Sequence, residues 1–240
     1  MVLSKDDVIL KQLNKELKKY KIKLNFRYYD ICPFKDHKLE VMNIVIKYSK
    51  ELESYHNKIF ILSSLSDEEF KNAIPYLIDI YFYFLNNIYG MPRDEIYLFY
   101  LYETISKIKS FEHKELYKKI LCGPINQYAE SIIKMVSNFN MQEFDDIIFN
   151  LIKKENLIPN LWIGELNEDC KYWCSYIAMK CIVQKKDKKY LNFFKEIIDD
   201  NEMAWIKFSN SKYGNKLTNK CKNEYKKLAK KGYDILMSLK

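Results

Sequence analysis

The chain has 240 residues, of which 48% are hydrophobic and 30% charged, so it can build a sizeable core and is not an inert hydrophobic protein. Its net charge of +8 suggests a nucleic-acid ligand, but among 40 basic residues only Arg27 and Arg93 are arginine, the residue best suited to phosphate and base contacts, which argues against a dedicated DNA reader. No apolar run approaches the roughly 18 residues that span a bilayer, because Pro75 and Asp79 interrupt the most apolar stretch, 74–85.

Helical periodicity dominates the chain: apolar residues recur every three or four positions, and no Asn-Gly or Asp-Gly hairpin turn occurs. Glycines followed by prolines, at Gly90 and Gly123, mark the ends of helices. In chain order we predict helices at 5–20 and 38–53, then hairpins at 57–65 with 73–88, 94–109 with 112–121, 125–138 with 141–154 and 168–184 with 187–199, and last helices at 203–213 and 215–238.

The hairpin pattern repeats along the chain. Segments 96–121, 127–152 and 171–198 each contain an amphipathic helix, a tight polar turn and a second helix. A single hairpin cannot bury both of its faces, so such units complete their cores by stacking on one another. The pattern therefore predicts an all-α protein, a right-handed α-solenoid of stacked antiparallel helix pairs.

Several segments resemble bacterial HEAT repeats, an armadillo-type fold. Asn72-Ala73-Ile74-Pro75 looks like the start of the second helix of such a repeat, 173–198 resembles a whole unit, and Ala204-Trp205 looks like the start of another. The arginine usual in the inner helix is missing. The resemblance implies HEAT-like repeats over 57–213, an N-terminal helical cap at 1–56 and a lysine-rich C-terminal helix at 214–240, in one continuous domain.

Signatures of catalysis are absent from the sequence. It contains no GxSxG, GxxxxGK[ST], GxGxxG or HExxH motif, and Cys122 and His113, nine residues apart, share no helical phase. Adjacent acids such as Asp145 and Asp146 point about 100° apart on a helix, so they do not share a site. We predict a protein that is not an enzyme, with no catalytic residue, no metal and no cofactor.

The six cysteines form no CxxC pair and no zinc-ligand spacing, which is typical of free thiols in a reducing compartment. The N-terminal residues 1–7 are not followed by the apolar stretch of a secretory signal. These features predict a cytoplasmic location.

Aromatic residues provide the candidate binding sites. Tyr81, Phe82, Tyr83, Phe84 and Tyr89 cannot all be buried on one helix face, so some of them should be exposed. Segment 157–166 is apolar for a loop, and either packs into a groove or contacts a partner. The predicted partner-binding residues are Trp162, as the anchor, with Tyr172, Trp173 and Trp205.

The predicted function is a non-catalytic helical-repeat scaffold with an adaptor, regulatory or immunity-type role, whose concave surface binds a protein or peptide partner. The oligomeric state is left open. The alternative is a HEAT-like DNA-binding protein or alkylated-base DNA glycosylase, in which Trp173 and Trp205 stack on bases and Asp169 stabilises the developing charge. A competing docking site is the C-terminal region 207–240, which holds ten lysines against two acidic residues, whereas 142–169 holds seven acids against two lysines.

Overall fold

A computed structural model describes residues 4–22, 38–88, 94–123, 129–139, 141–152, 174–200 and 214–239. In these ranges 87% of the residues are helical and none lies in a strand, which confirms the all-α class. The α-helices are α1 (Lys5–Leu17), α2 (Lys38–Glu51), α3 (Tyr55–Leu62), α4 (Ile74–Asn87), α5 (Glu95–Ile108), α6 (Lys114–Cys122), α7 (Glu130–Ser137), α8 (Gln142–Ile152), α9 (Cys174–Lys185), α10 (Leu191–Asp199) and α11 (Gly214–Ser238). No helix in the described ranges is long and apolar enough to cross a membrane.

The chain divides into two compact units, Met1–Tyr117 and Lys118–Lys240, and the division falls within α6. Within the described ranges the predicted helix positions agree with the observed ones to within a few residues. The predicted helix at 203–213 and parts of three others, 125–128, 153–154 and 168–173, lie outside the described residues. The boundaries predicted from the HEAT resemblance, at 56 and 213, and the stacking of the hairpins into a solenoid stay predictions.

In the first unit, α2 packs against α1 and α3, and α5 packs against α3 and α4. Local signals fix where the helices begin. The Ser4 side chain caps α1 in a capping box with Asp7, and Pro75 lies in the first turn of α4. Between α4 and α5 the hydroxyls of Tyr81 and Tyr102 lie 3.0 Å apart and are both buried, so this part of the core includes a polar pair.

Asp6, in the first turn of α1, links this helix to the start of α3. Its side chain is 9% exposed and accepts hydrogen bonds from the backbone N–H groups of Glu53, at 2.9 Å, and Ser54, at 3.2 Å, and from Asn57 Nδ2, at 2.7 Å. The Asp6 carboxylate therefore holds the two residues that precede α3 and the Asn57 side chain in its first turn, while the Ser54 side chain caps the helix itself. Burial raises the pKa of Asp6, but the hydrogen bonds from Glu53, Asn57 and Ser54 together outweigh burial and hold that pKa below its ordinary value.

We expect Asp6→Asn to lower the free energy of unfolding at neutral pH by about 2 kcal/mol, because donors now bonded to a carboxylate lose a charged acceptor. The pKa of Asp6 is lower in the folded than in the unfolded chain. Its carboxylate therefore stabilises the fold above the unfolded pKa, and this stabilisation is lost as the pH falls through the lowered folded pKa. As the pH falls through that acidic range, the free energy of unfolding should decrease less for Asp6→Asn than for the native chain.

Urea titrations of native chain and Asp6→Asn at a series of pH values measure both effects. Asp79→Asn, at an exposed carboxylate on α4, is the control and should change stability by less than about 0.5 kcal/mol. The same acid dependence in the native chain and in Asp6→Asn would contradict the assigned role of Asp6.

In the second unit, α9 lies against α7, α8 and α11, and α11 also packs along α10. The buried side of α11 repeats every three or four residues, through Cys221, Tyr225, Ala229, Gly232 and Leu236. The Tyr225 hydroxyl shares a hydrogen bond with the Ser175 hydroxyl on α9. The second unit therefore also pairs polar groups inside its core.

Candidate functional site

The four residues predicted to bind a partner, Trp162, Tyr172, Trp173 and Trp205, lie outside the described residues, as does segment 157–166. Asp169, the acid of the alternative DNA glycosylase hypothesis, also lies outside them. These assignments stay predictions. The described residues bring together a different group of aromatic side chains, in the first unit.

Two tyrosines from neighbouring helices stack face to face at the surface of this unit. Tyr55 is the first residue of α3, whose N-terminus is capped by the Ser54 side chain, and Tyr83 lies on the exposed side of α4. Their ring centroids are 4.4 Å apart and their planes differ by 8°. The Lys58 ammonium lies 4.4 Å from the centroid of the Tyr55 ring. We call Tyr55, Tyr83 and Lys58 the tyrosine platform.

Tyr55 contacts both other members of the platform, because the parallel Tyr83 ring and the Lys58 ammonium each lie 4.4 Å from its ring centroid. Tyr83 is the more open of the two rings, with 45% of the residue exposed. Burial, and next a hydrogen bond with Tyr83, raise the pKa of Tyr55, so its hydroxyl stays protonated at neutral pH.

A histidine and a buried carboxylate lie beside the platform. His56 Nε2 is 3.3 Å from Asp94 Oδ1, and the His56 ring contacts Tyr97 at a centroid distance of 4.3 Å and Phe84 at 5.9 Å. The His56 side chain is 33% exposed, whereas that of Asp94 is only 4% exposed. The carboxylate therefore fixes the orientation of an imidazole that solvent can reach.

Tyr76 on α4 adds another aromatic side chain to this region. Its hydroxyl accepts a hydrogen bond from the buried Ser49 hydroxyl of α2 at 3.0 Å, and the Lys50 ammonium lies 5.4 Å from its ring centroid. Tyr76 also makes a small contribution to the raised pKa of Tyr55. Half-exposed rings with fixed hydroxyls and lysines beside them are groups that suit a protein interface.

The arrangement provides an oriented base but no activated nucleophile. Ser54, two residues before His56, accepts from the backbone N–H of Asn57 and is a helix cap. A second Ser–His pair, Ser110 Oγ with His113 Nδ1 at 2.9 Å, joins residues of one turn, and Ser110 is buried. Burial lowers the pKa of His113, which keeps its imidazole neutral at pH 7.

The four described cysteines, Cys122, Cys174, Cys181 and Cys221, are not joined by disulfide bonds. Burial raises the pKa of Cys174 to about 12, so this sulfur is not a thiolate at neutral pH. Within the described ranges, no three His, Cys, Asp or Glu side chains are grouped as a metal site would require. The expectation that the protein binds no metal stays a prediction.

Sequence reasoning identified part of this site and missed the rest. The expectation that some of the aromatic residues at 81–84 would be exposed is met by Tyr83, while Tyr81 and Phe84 are buried. The His56–Asp94 pair was missed, because 38 residues separate the two and they meet only through the packing of α3 on α5.

Comparison of the chain with protein-family models, with curated proteins and with solved structures finds no match. The HEAT resemblance therefore stays a prediction, and the case for a function depends on the described side chains.

Proposed function

We propose that the chain is a non-catalytic helical scaffold that binds a protein or peptide partner, with the tyrosine platform as one of its contact surfaces. The observation that carries the proposal is the exposed ring of Tyr83, held in place by its stack on Tyr55. Tyrosines are enriched at protein interfaces, because a rigid apolar ring is buried while its hydroxyl keeps a polar contact.

The fixed geometry of the platform supports the same proposal. Binding costs free energy when flexible side chains must be ordered, and an aromatic ring that is already stacked has little freedom left to lose. The Lys58 ammonium contacts the Tyr55 ring, and the neighbouring His56 is oriented by Asp94. A partner therefore meets a preformed surface, on which an apolar side chain can cover Tyr83 and a carboxylate can reach Lys58.

The concave solenoid surface, the cytoplasmic location and the predicted residues Trp162, Tyr172, Trp173 and Trp205 belong to the same proposal. In a scaffold, several surfaces contact one extended partner or separate partners. Trp162 and the tyrosine platform are separate candidate anchors, and one set of variants distinguishes them.

We expect Tyr83→Ala to weaken partner binding by about tenfold or more, since truncating a central aromatic anchor typically costs about 2 kcal/mol. Partners captured by the tagged protein from its own cells are identified by mass spectrometry, purified, and titrated against each variant by calorimetry. Phe111→Ala is the matched control, because it removes a 57% exposed ring elsewhere in the same unit.

Tyr83→Ala should melt within a few degrees of the native chain, because its ring is largely outside the core. If Tyr83→Ala binds every captured partner as tightly as Phe111→Ala does, the platform is not an interface.

In the same assay, Trp162→Ala should weaken binding by at least about tenfold at any salt concentration if segment 157–166 is presented to a partner. Collapse of that variant with residual affinity intact would identify Trp162 as a core residue.

A further inference from the structure

The lysines between positions 220 and 231 of α11 lie on the side of the helix away from the core. Cys221, Tyr225 and Ala229 are fully buried, and the side opposite them carries lysine at most positions between 220 and 231. We call this surface the lysine face; it comprises Lys220, Lys222, Lys226, Lys227, Lys230 and Lys231.

The lysines are regularly spaced. Lys222, Lys226 and Lys230 follow one another at intervals of four residues, which is about 6 Å along the helix axis. Lys227 and Lys231 repeat the same interval on the adjoining row, and the face from Lys220 to Lys231 is about 16 Å long. A rigid helix therefore presents two parallel rows of ammonium groups.

Most of these lysines have no acidic partner in the part of the chain that the structure describes. Lys227 pairs with Glu224 at 3.1 Å, but Lys220, Lys222, Lys230 and Lys231 form no ion pair with any described residue. The first unit has lysines of both kinds: Lys5 pairs with Glu53 and Lys38 with Asp67, whereas the other exposed lysines of α1 form no ion pair with a described residue.

The two units differ in net charge. Residues 1–117 hold 18 basic and 17 acidic residues, so their charges nearly cancel. Residues 118–240 hold 22 basic and 15 acidic residues, and seven of these lysines are on α11. Almost the whole net charge of +8 therefore belongs to the unit that carries the lysine face.

We propose that the lysine face binds the phosphate backbone of a nucleic acid, without reading its sequence. A protein interface needs a desolvated centre with aromatic or aliphatic anchors and is depleted in lysine, whereas the exposed positions between 219 and 234 of α11 are lysine, asparagine and aspartate. Anchoring in a membrane needs exposed apolar side chains, and here Met237 alone of the exposed described positions of α11 provides one.

Binding to the phosphate backbone of a nucleic acid needs neither the apolar anchors of a protein interface nor those of a membrane contact. It gains free energy by releasing the counterions condensed on regularly spaced phosphates, and lysine contacts phosphate as a point charge. The scarcity of arginine fits this mode, because bidentate base recognition is not required. The inference concerns the second unit and stands independently of the tyrosine platform in the first.

The test compares two variants with the same change of net charge. In the first, Lys220, Lys222, Lys230 and Lys231 are each changed to glutamine. In the second, the control, glutamine replaces Lys11, Lys15, Lys18 and Lys19, which are exposed on α1 and the turn after it and likewise form no ion pair with a described residue. Binding to a labelled DNA duplex of about 20 base pairs is measured by fluorescence anisotropy between about 50 and 200 mM salt.

We expect the α11 variant to bind at least about tenfold more weakly at about 50 mM salt, and the slope of log K against log salt to flatten by about 0.9 for each phosphate that the variant no longer neutralises. The α1 control should bind as the native chain does, and circular dichroism should show both variants folded. If both variants bound the duplex equally weakly, the loss of affinity would follow from net charge alone, and the proposal would be overturned. It would also be overturned by a native chain that fails to bind the duplex but binds polyglutamate or phosphatidylserine vesicles, which would assign the face to an acidic protein or to a membrane.

Discussion

Lys185→Met is expected to lower the free energy of unfolding by about 3–5 kcal/mol, the cost typical of breaking a buried ion pair by removing one partner. Lys185 ends α9, and its Nζ lies 2.9 Å from Asp145 Oδ1 on α8, with 11% and 12% of the two side chains exposed. Methionine keeps the length of the side chain but removes the ammonium. The Asp145 carboxylate is then left in a buried site without its cation, where desolvation is not offset.

The pair should be replaceable as a whole. Lys185 Nζ is close to Asp145 Oδ1, but this oxygen has no donor in hydrogen-bonding geometry. The attraction between the two charges therefore only partly offsets the hydration that both groups lose on burial. We therefore expect Lys185→Met combined with Asp145→Leu to recover most of the stability lost in the single variant. Lys195→Met, at an exposed position of α10, is the control and should have almost no effect in urea titrations. A single variant as stable as the native chain would show that the pair contributes nothing to the fold.

Gly232→Ala should lower the free energy of unfolding by about 1–3 kcal/mol, although the same change in an open helix interior raises it by up to about 1 kcal/mol. A Cβ placed at Gly232 would lie 2.7 and 2.8 Å from ring atoms of Phe194 and 3.0 Å from a methyl group of Val183. Phe194 is fully buried, so its ring cannot turn away without disturbing other side chains of the core. The close approach of α11 to α10 and α9 at this point needs a residue without a side chain.

A second substitution tests this explanation. Phe194→Leu shortens the side chain that meets the added methyl group, so the cost of Gly232→Ala should be smaller in the Phe194→Leu background than in the native chain. Asn223→Ala, on the exposed side of α11, should leave stability unchanged or raise it slightly. Thermal or urea unfolding of the four members of this cycle measures the coupling. Equal costs in the two backgrounds would locate the strain elsewhere.

The helices were predictable because their signals are local. In α10, Phe193, Phe194 and Ile197 are buried at helical spacing, and Pro75 lies in the first turn of α4 as the sequence predicts. Gly232 departs from the rule that glycine ends a helix, because it lies inside α11. Its presence depends on Phe194 of another helix, and a single sequence does not reveal that contact.

The candidate site was predictable only where one helix sufficed. The periodicity of α4 indicates that its four consecutive aromatic residues cannot share one buried face, and this is how Tyr83 becomes exposed. The partners that give the site its geometry come from other helices: Tyr55 from α3 and Asp94 from the start of α5. Likewise, Asp6 and Asn57 are 51 residues apart, and no spacing rule connects them.

The hydrogen bond between Tyr81 and Tyr102 makes the substitutions that evolution can accept at one of these core positions depend on the residue at the other. Phenylalanine at either position removes one hydroxyl and takes a hydrogen-bond partner from the other, at a place where both side chains are closed to water. Phenylalanine at both positions restores a matched apolar contact. Divergence at one of these positions therefore favours compensating change at the other. The same bond also opposes a shift of α4 along α5, since sliding by one turn, about 5.4 Å, would separate the two hydroxyls.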